Sequence, residues 1–175
     1  ELYIPRQTTI DGVWQNMYSV VAKDASIMEK LANEQGNDNL EGVALVLKAN
    51  AFHILTDLYG NIPMTEALKG DEGNITPIYD DSETVVYPAI LGMLDKAMTL
   101  LNGNGSIDSS QDLMYGGDWS LWKKYAASLK FKVLMRAASG GYNASGELSA
   151  LVNSGNLFSS NADEAKLVYL AAEPN

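Results

Sequence analysis

The chain has no cysteine and a single histidine among its 175 residues. The first absence excludes disulfides, thiolate nucleophiles and zinc–thiolate sites. The second leaves little for catalysis, since no Gly-x-Ser-x-Gly elbow and no His-Glu-x-x-His metal motif occurs either. Basic residues are scarce, 12 against 22 acidic, for a net charge of −10. Nucleic-acid phosphates and anionic membrane surfaces repel such a chain, so neither is an expected partner. Charged side chains make up 19% of the sequence, below the usual quarter or so. Asn, Ser, Thr and Gly must therefore cover much of the surface. No apolar run approaches the roughly 20 residues of a membrane span.

What is present reads as helix. A hydrophobic content of 46% over 175 residues suffices for one sizeable core, and residues 1–175 are expected to form a single all-α domain. Residues 9–34 form one long or two broken helices, with Trp14, Met17, Tyr18, Val21 and Ala22 at three- and four-residue spacing and a kink expected at Asp24-Ala25-Ser26. Gly36-Asn37-Asp38-Asn39 is a turn, with Asp38 or Asn39 as the cap of the next helix. That helix, 40–58, carries Leu40, Val43, Ala44, Leu47, Ala51, Ile54, Leu55 and Leu58 on one stripe. Leu45, Val46, Ala49 and Phe52 lie off it. A helix apolar on most sides is buried between neighbours, so this one should be central.

Residues 59–82 read as a long loop, rich in breakers and acidic side chains. Between Asp57 and Glu83 inclusive there are seven acidic residues and one basic, Lys69. Helices return over about 83–102, with a slight kink expected at Pro88, over a segment starting near Trp122 and capped by Asp118 or Ser120, and over about 145–154. Val168-Tyr169-Leu170 is a candidate edge strand. Helix pairs of this length could stack as tetratricopeptide-like units, although that repeat's full Trp, Leu-Gly, Tyr and Pro pattern is not met.

His53 and Asp57, four apart on one helix face, fit a base with its orienting carboxylate or a pair of metal ligands. They fit better a buried imidazole hydrogen-bonded inside a bundle. Asp57 lies at the unfavourable end of the helix dipole and needs a partner such as Arg136 or a backbone amide. Asp71-Glu72-Gly73-Asn74 and Asp80-Asp81-Ser82-Glu83 could hold a hard cation. They do not match the calcium-loop pattern, and a solvated acidic loop is the favoured reading, with no metal or cofactor. Asn102-Gly103-Asn104-Gly105-Ser106 lacks the Gly-Lys-Ser/Thr of a phosphate loop and is a turn. Tyr79, Tyr115 and Trp119 are aromatics in or beside polar loops, off the main helix faces. A pyranose stacks its C–H face on such rings, which makes these three the candidate ligand residues.

Two blocks carry a family resemblance. Leu55-Thr56-Asp57-Leu58-Tyr59-Gly60-Asn61-Ile62-Pro63 ends the central helix, and Trp122-Lys123-Lys124-Tyr125-Ala126-Ala127-Ser128-Leu129-Lys130 opens a later one, continuing to Arg136. In this order they resemble the SusD/RagB family of outer-membrane nutrient-binding lipoproteins. The resemblance implies a bundle of tetratricopeptide-like helix pairs with long loops. It implies capture of an oligosaccharide without chemistry, and its delivery to a SusC-like TonB-dependent transporter at the outer membrane. Members are much longer, so 1–175 would be the N-terminal scaffold part of such a protein. Neither a signal peptide nor the anchoring cysteine of a lipoprotein stands at Glu1-Leu2-Tyr3-Ile4-Pro5, as truncation would explain. Asp57, Tyr59, Gly60, Pro63, Trp122 and Arg136 are read as structural: polar anchor, aromatic plug, helix stop and packed helix face. The alternative is a helical-repeat module that binds a protein and no glycan, through a groove lined by Asn, Lys and Arg.

Overall fold

The computed structural model describes residues 7–167. The candidate strand at 168–170 lies outside them. Among the described residues six α-helices follow one another: α1 (Gln7–Asn16), α2 (Lys23–Glu34), α3 (Asp38–Tyr59), α4 (Tyr87–Leu100), α5 (Trp119–Ser139) and α6 (Ser145–Asn153). Among the described residues the one β feature is an antiparallel bridge between Ile62 and Asp80. The all-α expectation is met.

Neighbours in sequence pack as neighbours in space, with α3 against α2, α4 and α5, and α5 against α4 and α6. Side-chain bonds give their directions. Asn33 meets Glu41 and Lys48 meets Glu29, which sets α2 antiparallel to α3. Asn39 meets Gly103 while Asp57 meets Tyr87, which does the same for α3 and α4. Lys123 donates to Leu101 and Lys130 to Asp95, so α5 runs antiparallel to α4.

The central place of α3 follows from its composition. Val43, Ala44, Leu45, Val46, Ala49, Ala51, Phe52 and Leu55 are all buried, on and off the expected stripe. Leu58, at the tip, is exposed instead. Gly42 leaves room for the end of α4, because a Cβ there would stand 2.8 Å from Leu101 Cγ and 3.3 Å from Ala97 O.

Three local expectations are corrected. First, regular α2 runs through Asp24-Ala25-Ser26, with Ala25 buried. The irregularity falls earlier, in a π turn over Met17–Ala22 that joins α1 to α2 without leaving helical angles. Such a turn closes with one more residue than an α turn and re-aims the face beyond it. Second, the cap of α3 is Asn37, whose Oδ1 accepts from Leu40 N at 3.0 Å. Asn39 is occupied elsewhere: buried, it donates to the Gly103 and Gly105 carbonyls and accepts from Asn102 N. Third, Pro88 sits in the first turn of α4, behind a π turn over Ser82–Val86 capped by Asp81. The wider turn accommodates the proline that a plain α-helix would have to kink around.

The long loop is pinned down rather than simply solvated. Asp80 is buried and accepts from Met64 N, Thr65 N and Thr65 Oγ1 at 2.7–2.9 Å. Asp71 meets Lys23 on the first helical rod at 2.9 Å. The expected cap of α5 holds, with Asp118 accepting from Ser120 N, and the helix ends at Gly140.

Candidate functional site

The Asp57–Pro63 block closes the end of α3. Gly60 N–H donates to Thr56 O at 2.9 Å, and Thr56 Oγ1 donates back to Gly60 O at 2.8 Å. Gly60 takes φ +75° and ψ −119°. That is the positive φ expected of a helix stop, but with ψ outside the left-handed helical well. Tyr59 Oη donates to Ile10 O at 2.5 Å, and Tyr18 Oη to Pro63 O at 2.6 Å, so both phenols tie this corner to the first helices. Trp122 is buried in the core, its Nε1 donating to Asp112 at 2.8 Å.

Asp57 finds the partner its position demands, and a second one. Arg136 Nε donates to its Oδ1 at 3.3 Å, and Tyr87 Oη donates to the same oxygen at 2.7 Å. Burial and the adjacent Asp57 charge push the Tyr87 phenol up to about 12. His53 is buried at 1% exposure, as expected. The expected hydrogen bond is missing: neither ring nitrogen has a partner, and Nε2 stands 3.7 Å from Asp57 Oδ2. Burial therefore lowers its pKa, with Asp57 opposing.

Two openings flank this corner. One, of about 560 Å³, runs between the first helices and the long loop, with Trp14, Tyr18, Pro63, Ala67, Leu68 and Pro77 on its walls. Its cation, Lys23, is held by Leu68 O and Asp71. Tyr79, 65% exposed, lies nearly parallel to Trp14 with centroids 6.3 Å apart. Tyr59 meets Trp14 edge-on at 4.9 Å. Four rings thus gather here, and Trp14 and Tyr18, which helical spacing assigns to the core, also pack against it. The other opening, of about 540 Å³, lies between the ends of α3 and α5 and the start of α4.

Tyr115 and Trp119 lie elsewhere. Tyr115 packs edge-on against Trp122 at 5.3 Å and donates to Asp163 O at 3.1 Å. Trp119, 37% exposed, starts α5. Both belong to the end of the bundle where α4 finishes, whereas Tyr79 belongs to the end where it starts. The rise of the 14 residues of α4 separates those ends by about 21 Å. The structure brings Tyr79 to Trp14 and does not bring it to Tyr115 or Trp119. A signal for Trp14 exists only in its pairing with a loop ring more than sixty positions away, which spacing within one helix does not show.

A stack of antiparallel helix pairs, with a cluster of aromatic rings at one end, defines the class as a helical scaffold. Residues 1–175 match the SusD-like family, described as starch-binding and associating with the outer membrane, and the chain belongs to that family. A SusD/RagB family protein from Bacteroides thetaiotaomicron is 29% identical, with TM-score 0.78 over 90% of this chain and 33% of its own. A SusD homologue from Bacteroides fragilis is 30% identical, with TM-score 0.78 over 94% and 35%. A chitin-binding SusD homologue from Flavobacterium johnsoniae is 27% identical, with TM-score 0.74 over 89% and 33%. The chain thus spans about a third of the length of these structures. A comparison with curated proteins found no match.

Proposed function

We propose that this chain is the scaffold part of a cell-surface receptor that captures an oligosaccharide and passes it, chemically unchanged, to a TonB-dependent outer-membrane transporter. In the whole protein a lipid anchor would hold it at that membrane. Membership of the SusD-like family supports glycan binding in general, and one observation carries the site. Tyr79 stands exposed beside Trp14, which lines an apolar groove of about 560 Å³. Flat rings present a face to the C–H side of a pyranose, and Lys23, Asp71 and loop carbonyls are at hand for hydroxyls. The scarcity of Asn, Lys and Arg along this groove disfavours the protein-binding alternative.

Calorimetric titration with chito- and malto-oligosaccharides tests the reading. Trp14→Ala and Tyr79→Ala should each weaken binding by roughly threefold to tenfold, the scale of one aromatic contact. Binding that neither change affects would place the ligand elsewhere.

A further inference from the structure

The second opening, next to Asp57, has the chemistry of a separate site. Asp57 uses Oδ1 for Tyr87 and Arg136, and its Oδ2 accepts no hydrogen bond. Arg136, with a side chain 56% exposed, bonds Asp57 through Nε and also meets the Tyr87 hydroxyl. Behind Asp57, His53 is buried with both ring nitrogens unpartnered, its Nε2 3.7 Å from that same Oδ2. Thr84, Tyr142 and the Gly140–Gly141 backbone complete the walls around about 540 Å³. Tyr142 is half exposed, and its hydroxyl donates to Glu147 at 2.8 Å.

We propose that this cleft binds one sugar unit through two adjacent hydroxyls, independently of the Trp14–Tyr79 groove. One hydroxyl donates to Asp57 Oδ2, and its neighbour accepts from an Arg136 terminal nitrogen. A carboxylate beside a guanidinium matches a vicinal diol, because a diol offers donor and acceptor together. An anionic ligand fits worse, since Asp57 already balances Arg136 and Glu83 stands at the rim. Tyr142 then serves as the apolar wall. The choice of a saccharide rests on the proposed function; the cleft's geometry does not. Residues 59–63 run between the two openings, with Pro63 on one and Asp57 on the other.

The test is an amide and side-chain NMR titration of the 175-residue chain with methyl β-D-glucopyranoside. Tetrahydropyran-2-methanol, which has the ring and no diol, is the control. The glucoside should shift the Gly140 and Gly141 amides and Arg136 Nε–H with affinity near the millimolar end of the scale, and the control should not. Arg136→Lys keeps the charge, loses the planar fork, and should weaken these shifts at least about fivefold. Tyr79→Ala should leave them unchanged. Equal shifts with the control, or shifts confined to the Trp14 indole and Tyr79, would overturn the proposal while leaving the groove reading intact. Shifts at the cleft with none at Trp14 would do the reverse. The comparison with the control on the unaltered chain decides the matter even if Arg136→Lys does not fold.

Discussion

At Gly60 the backbone, and no side-chain contact, makes the demand. A Cβ there would meet nothing within 4 Å, yet φ is +75° with ψ −119°. Gly60→Val should therefore destabilise by about 1 kcal/mol or more through strain alone, since a β-branched residue resists positive φ. Urea denaturation measures it, and an unchanged midpoint would mean the turn relaxes freely. His53 makes a different demand. Burial holds its pKa below the ordinary 6.5, so the unfolded chain takes up the proton first as pH falls. His53 thus withdraws stability from about pH 6.5 downward and none above it, at up to about 1.4 kcal/mol per pH unit. His53→Leu should flatten the decline between pH 7 and pH 5, and it also removes two unmet nitrogens. An identical decline in the variant would assign the acid sensitivity to other groups. That Asp57 needs a partner is legible from its place in the last turn. That Tyr87 shares the task is not, because the pairing spans thirty positions.

At the scale of elements, the loop between α3 and α4 depends on one carboxylate. Burial pushes Asp80 up, but the amides of Thr65 and Met64 and the Thr65 hydroxyl outweigh it and hold the group below its ordinary range. Its contribution is therefore present above about pH 4, the unfolded value, and lost as pH falls through the folded one. Asp80→Ala should cost roughly 1.5–3 kcal/mol, the scale of hydrogen bonds to a charged group. The loss should be local. Hydrogen exchange at Met64 and Thr65 should accelerate strongly while the amides of α3 and α5 keep their protection. Uniform acceleration everywhere would show that the loop and the bundle open as one unit. The breakers and charges of this segment mark it as a loop. Its pinning does not show in the sequence, because Asp80 and Asp81 look alike there and only one is buried.

At the scale of the molecule, the two ends of the bundle separate two of the candidate aromatics from the third. Tyr79 joins Trp14 at one end, and Trp119 stands at the other, about 21 Å away by the rise of α4. Trp119→Ala should leave glycan affinity unchanged where Trp14→Ala and Tyr79→Ala reduce it, and a loss in all three would mean that one long ligand runs the length of the bundle. Because the chain spans about a third of its solved relatives' length, we expect a partial site, with affinity near the millimolar end of the scale. Micromolar binding by the 175-residue chain would show the site complete.

Local sequence was enough for the helices themselves, the stop of α3 at Gly60, the Asp118 cap of α5 and the central place of α3. These depend on local periodicity, capping residues and the degree to which one helix is apolar all round. The Asp57–Pro63 and Trp122–Arg136 blocks were likewise enough to point to the family. Which rings share a surface, where the π turns fall and which acid of the long loop goes inside are settled by the fold. Each of these depends on groups that are distant in the chain and meet across antiparallel helices. The Tyr79–Trp14 pair and the bond from Tyr87 to Asp57 exist only once the ends of different helices lie side by side.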